Sequence, residues 1–165
     1  MISLETDRLL LRPLRDDDLD AYAAMAADPE VMRFMGGPRD RALVWRDMAC
    51  FLGHWVMRGY GLWAAEEKAT GDLVGRIGLW RPEGWPDLEV GWLLARRHWG
   101  RGFATEGGRA ALKHAFNVLG AGHVISLIRP GNVASIQVAE RLGESLEGRT
   151  ELFGDETLIY GITRP

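Results

Sequence analysis

One stretch, Leu88 to Lys113, constrains this chain more than any other. It reads as strand, glycine turn, helix. Leu88, Val90, Trp92 and Leu94 fall on one face of an extended segment, and Glu89, Gly91 and Leu93 on the other. Arg97-His98-Trp99-Gly100-Arg101-Gly102 follows, with two positions free of side-chain bulk. A helical pattern then brings Ala104, Ala111, Ala115 and Val118 roughly onto one face. A strand that enters a helix through glycines leaves backbone N–H groups unpaired at the positive pole of the helix dipole, so an anion belongs there.

Two common phosphate motifs are absent. A dinucleotide fingerprint needs a third glycine three residues after Gly102, where Thr105 stands, and a P-loop needs a Gly-Lys-Ser/Thr end that occurs nowhere. What remains is Arg97-x-x-Gly100-x-Gly102 followed by Phe-Ala-Thr-Glu. This resembles the coenzyme A signature of the GNAT N-acetyltransferases, Arg/Gln-x-x-Gly-x-Gly/Ala. The run Trp99-Gly100-Arg101-Gly102-Phe103-Ala104-Thr105-Glu106 looks more narrowly like the branch that acetylates ribosomal-protein N-termini. The bland alternative is a plain strand-to-helix turn with glycines for tightness.

A length of 165 residues suits one domain, residues 1–165. The net charge of −3 argues against a nucleic-acid or membrane-surface binder. Between Arg96 and Lys113, however, five basic residues stand against one acid, Glu106, which suits a small polyanion. The single cysteine, Cys50, excludes an internal disulfide, fits a cytoplasmic location, and reads as a buried thiol on an amphipathic helix. The N-terminus lacks the order of a signal peptide, and no apolar run reaches membrane-spanning length. His54, His98, His114 and His123 lack ligand spacing, so no metal is expected.

Taken in order, Thr6 to Leu14 reads as a first strand, then a helix capped by Asp16 or Asp17 with Leu19, Tyr22, Ala23 and Ala26 inward. A longer helix runs from about Arg39 to Arg58, with Trp45, Met48, Leu52 and Trp55 at helical spacing and Gly59 as its stop. Leu62–Glu66, Leu73–Trp80 and the strand from Leu88 form an antiparallel meander. After the central helix, His123 to Arg129 is a strand, parallel to the one at Leu88 by the crossover rule. Asn132 can cap a helix from Val133 to Leu142, and a final hairpin pairs Glu144–Leu152 with Glu156–Thr163. The expected class is α/β, a single mixed and mostly antiparallel sheet flanked by helices.

That order is also the order of the GNAT fold, and Asn132-Val133-Ala134-Ser135-Ile136 with Glu140-Arg141-Leu142-Gly143 resembles a second stretch of the family. The resemblance implies that the central parallel strands splay around acetyl-CoA as cosubstrate, with Asn132 on the pantetheine arm. It implies that backbone groups of Trp92, Leu93 and Leu94 pair with that arm and hold the acetyl carbonyl. Arg97, His98, Trp99, Gly100, Arg101, Gly102, Phe103, Ala104 and Thr105 would surround the pyrophosphate. Many members carry a tyrosine seven residues after the capping asparagine to protonate the thiolate. Here that position is Ala139, and Ser135 is the matching candidate by analogy with the ribosomal branch.

Glu89 is the candidate general base. It is the only charged residue from Leu88 to Ala95, and a carboxylate on an apolar strand is pushed toward the working pH. The leading function is therefore an acyltransferase that acetylates a primary amine. The acceptor stays open between a protein N-terminal α-amine and a small molecule such as an antibiotic or polyamine. Asp16, Asp17, Asp18 and Asp20 could supply an acidic pocket for a polycation, or simply match a helix dipole. A non-catalytic acyl-CoA-binding domain is the second class. The seven tryptophans, with Phe34, Trp80 and Trp85 from loops, fit an aromatic cleft, a core or a homodimer face equally well.

Overall fold

The computed structural model describes residues 1–164. In chain order they form β1 (Leu4–Glu5), β2 (Leu9–Arg12), α1 (Leu19–Ala27), α2 (Pro29–Met32), α3 (Arg41–Arg58), β3 (Leu62–Glu67), β4 (Leu73–Trp80), β5 (Glu89–Leu94), α4 (Phe103–Asn117), β6 (His123–Ile128), α5 (Val133–Leu142), β7 (Ser145–Leu152) and β8 (Asp155–Thr163). The strands make one sheet in the order β1-β2-β3-β4-β5-β6-β8-β7. Among the described residues only β5 and β6 run parallel, joined through α4 as the crossover rule requires. The expected mixed sheet, meander and closing hairpin are all present.

Alternation along β5 divides the core. Leu88, Val90 and Leu94 join Ile77, Leu79, Phe103, Ala111 and Ala115 beneath α4. Leu93 points to the opposite face, among Tyr22 and Met25 of α1 and Val44 and Met48 of α3. Close packing explains two glycines of α4. A Cβ on Gly107 would lie 2.5 Å from Ile77 Cδ1, and one on Gly108 2.9 Å from Leu142 Cδ1.

Several expectations are corrected. The first strand is confined to Leu9–Arg12, because Thr6 closes a turn on Leu9, its N–H donating to Leu9 O and its hydroxyl accepting from Leu9 N–H. Neither Asp16 nor Asp17 caps α1; the three aspartates form one 3-10 turn, and the buried Asp18 accepts from Arg15 N–H at 2.7 Å. Asp40 caps α3 instead, accepting from Leu43 N–H at 2.8 Å. Cys50 is exposed, not buried. Trp45 and Val118 are also exposed, Trp45 because the apolar stripe of α3 is narrower than helical spacing alone implies and Val118 because α4 ends before it at Asn117.

Candidate functional site

The β5–β6 pair opens almost as soon as it forms. Its only register pair is Glu89 with Ile125, and Ile125 N–H donates to Leu88 O at 2.8 Å. Ala95 N–H donates the other way, to Val74 O of β4 at 2.9 Å. By strand alternation, Trp92 and Leu94 turn their backbone groups toward the gap, whereas those of Leu93 face β4. Leu93 is thus a core residue in both backbone and side chain, contrary to expectation. Leu94 O already accepts from the Trp99 indole at 2.8 Å.

Glu89 lies at the start of the gap, partly buried, on the α1–α3 face. Its Oε2 accepts from Trp85 Nε1 at 2.7 Å. Burial raises its pKa to about 7; the Trp85 bond, the Arg76 guanidinium and the Leu127 amide pull it down less strongly. A carboxylate poised there can take a proton near neutrality. Trp85 in turn packs at a tilt against Phe153 of the β7–β8 turn, 6.1 Å between centroids. Trp80 ends β4 rather than sitting in a loop, and lies on His54 at 4.3 Å. Phe34 packs beneath Arg33, 5.3 Å from its guanidinium.

At the other end of the gap the chain turns through a 3-10 segment, Arg96–His98, into α4. His98 N–H and Trp99 N–H close that segment on Ala95 O and Arg96 O. They are therefore unavailable to a ligand, which corrects the expected start of the anion cradle. The amides from Gly100 through Thr105 make no backbone hydrogen bond among the described residues, and the first helical bond is Glu106 N–H to Gly102 O. Gly100 and Gly102 hold φ values of +72° and +81°, a left-handed backbone that favours glycine. The His98 ring is buried and its pKa depressed by burial and then by Arg97, so it is neutral and edge-on to Phe103. Arg101 pairs with the buried Glu67. Arg96 and Arg97 are both exposed and form no ion pair among the described residues, which leaves two open cations on the turn.

Arg8 has no neighbour in sequence that would single it out. Its guanidinium binds Arg101 O at 2.9 Å and Glu106 Oε2 at 2.6 Å, and lies over the Phe103 ring at 4.6 Å. A chain ninety residues distant thus fixes the start of α4. A cavity of about 430 Å³ adjoins the turn, lined by Ala24, Met25, Asp28, Val31, Ala95, Arg96 and Arg97.

On α5, Asn132 Oδ1 accepts from Ser135 N–H at 3.3 Å, and Ser135 Oγ accepts from Trp92 Nε1 at 3.3 Å. The indole supplies that bond, so the hydroxyl hydrogen of Ser135 is free to donate elsewhere. The aspartate cluster is dispersed. Asp18 is bound by Arg12 at 2.7 and 2.8 Å, and Asp20 pairs with Arg41. No helix among the described residues is long and apolar enough to cross a membrane, and no group of metal-ligating side chains occurs among them.

Residues 8–144 match the family model described as an acetyltransferase (GNAT) domain. The Bacillus subtilis protein YkkB is 40% identical over 148 residues, covering 85% of this chain and 83% of its own. An acetyltransferase structure from Agrobacterium tumefaciens superposes with a TM-score of 0.91 at 34% identity, over 99% of this chain and 95% of that one. The ribosomal-protein-S5-alanine acetyltransferase of Vibrio fischeri shares the fold, with a TM-score of 0.78 at 13% identity over 99% and 97% of the two chains.

Proposed function

The chain belongs to the GNAT acetyltransferases and is an acyltransferase, and from that premise we propose that it transfers an acetyl group from acetyl-CoA to a primary amine, with Glu89 as general base. One observation carries the reading. A carboxyl with a pKa raised to about 7 stands at one end of a gap whose other end is a row of unpaired amides opening α4. The residues fit the coenzyme. The amides from Gly100 to Thr105 and the Arg97 guanidinium suit a pyrophosphate, and Trp92 and Leu94 offer backbone groups to an amide-bearing arm. Bound acetyl-CoA supplies an acyl group on a thiolate leaving group. Glu89 takes the amine's proton, directly or through water. The free N–H groups of the gap stabilise the carbonyl oxygen as it gains charge. Ser135, held by Trp92, hydrogen-bonds the departing sulfur and passes on to it the second proton that the amine nitrogen loses as the amide forms, so the hydroxyl ends as it began.

The acceptor we favour is an α-amine at a peptide N-terminus, in keeping with the Trp99–Glu106 run. A polycation is disfavoured, because Asp18 and Asp20 are tied to arginines. The acceptor face near Glu89 also holds Arg76, over the Phe51 ring at 5.2 Å and without a carboxylate in ion-pair reach among the described residues. Thiol release from acetyl-CoA, measured against N-terminal peptides, aminoglycosides and polyamines, tests this. Turnover confined to polyamines or aminoglycosides would reverse the acceptor assignment. A chain that does not bind acetyl-CoA would remove the enzymatic one.

A further inference from the structure

A buried carboxyl group sits where β5 and β6 part. In a continuing parallel ladder, the bond after Ile125 N–H to Leu88 O would run from Leu127 N–H to Val90 O. Instead, Val90 O accepts from the Ser126 hydroxyl at 2.8 Å. Ser126 Oγ also lies 3.1 Å from Glu144 Oε1. Glu144 follows α5, its N–H on Ala139 O, and is only 4% exposed. Its other oxygen, Oε2, has no hydrogen-bond partner among the described residues.

The hydrogens can be counted. A serine hydroxyl has one, and a carbonyl oxygen can only accept. The hydrogen of Ser126 therefore goes to Val90 O, and the 3.1 Å contact is a bond only if Glu144 brings a hydrogen of its own. An ionised Glu144 would be a buried charge facing a lone pair, an arrangement that is strongly disfavoured.

We propose that Glu144 is held as the neutral acid and is a positioning residue: through Ser126 it satisfies Val90 O and so keeps β6 away from β5 at the mouth of the acyl site. This rests on the reading of the β5–β6 gap as the place where the coenzyme arm enters. Ser126 of β6 touches the carboxyl, and the charges that act on it come from His123 of β6, Glu89 of β5 and Glu147 of β7. Burial is the main reason that its pKa stands at about 8; Ser126 opposes the shift, Glu89 and Glu147 add to it, and His123 opposes it. Once Glu144 ionises, Ser126 turns its hydrogen to the new carboxylate, because a charged acceptor makes the stronger bond. Val90 O then loses its donor, and β6 loses the bond that fixes it relative to β5 at the mouth of the gap.

The test needs no knowledge of the acceptor. Acetyl-CoA affinity is measured by calorimetry for the wild-type chain and E144Q, whose amide donates to Ser126 and does not titrate. The ratio of wild-type to E144Q Kd should climb about tenfold between about pH 7 and about pH 9, as a group of pKa about 8 empties. Binding in both forms with a flat ratio overturns the inference. No binding by either form at any pH overturns the coenzyme reading itself. A readout in the wild-type chain alone guards against a variant that does not fold. With glutamate carboxyls carbon-13 labelled, two resonances should titrate well above the ordinary range, and E89Q should abolish one. A single raised resonance, lost in E89Q, overturns the proposal.

Discussion

The Trp85 indole N–H donates to Glu89 Oε2 at 2.7 Å, across a loop of three residues. That bond favours the ionised form of a carboxyl that burial otherwise pushes up. Trp85→Phe keeps the ring against Phe153 and removes the donor. A hydrogen bond to a charged group is worth about 1.5–3 kcal/mol, and one pH unit is about 1.4 kcal/mol. The rising limb of kcat/KM against pH should therefore move up by about one unit. A limb that stays in place in a folded Trp85→Phe protein would detach the indole from the base.

Gly102 ends the turn with φ +81°, and nothing but Arg8 Nη2, at 3.4 Å, stands near the place of a Cβ. The obstacle to a side chain is thus the backbone conformation, not crowding. A β-branched residue resists the left-handed region and would rotate the amides that open α4 away from a phosphate. Gly102→Val should weaken acetyl-CoA binding at least about tenfold, a loss of only about 1.4 kcal/mol. Calorimetry returning the wild-type affinity for a folded variant would reject the phosphate cradle.

Ser135 accepts from Trp92 Nε1, which leaves its own hydrogen uncommitted. If that hydrogen goes to the departing thiolate, Ser135→Ala should lower turnover more than it weakens coenzyme binding. Equal losses in the two quantities would make the hydroxyl a prop for Trp92 and leave water as the proton donor.

The strand, turn and helix from Leu88 to Lys113 were legible because each step is local. Alternation shows the strand, paired glycines show the turn, and helical spacing shows α4. Glu89 stood out as a candidate for the same reason, as a lone charge on an apolar strand. Partners set by distance in space were not. Nothing near Arg8 says that it reaches Phe103 and Glu106, and nothing near Asp18 says that Arg12 takes it from the acidic run. The amides of His98 and Trp99 looked available because the sequence does not show the 3-10 turn that uses them. Glu144 read as the start of a hairpin, since its burial depends on where α5 packs.

Glu89→Gln keeps the shape of the side chain and removes the base. At neutral pH most amines are protonated and cannot attack, so a group that accepts the proton typically contributes about 10²–10⁴-fold to turnover. The variant should lose activity in that range near pH 7, and the loss should shrink as pH rises and free amine accumulates. Coenzyme affinity should hardly change, because the phosphate end of the gap lies beyond the far end of β5. A second expectation is independent of activity. The folded pKa of Glu89 lies at about 7, above the ordinary glutamate value of 4.5. Between those values the folded chain keeps a proton that the unfolded chain has released. Wild-type stability from this group is therefore present below about pH 4.5 and is lost as pH rises toward 7. Glu89→Gln carries no such charge, so its denaturation midpoint should gain on that of the wild type across the same window. A variant with normal turnover from about pH 6 to about pH 9 and an unchanged stability profile would return Glu89 to a structural role and assign the amine's proton to bulk water.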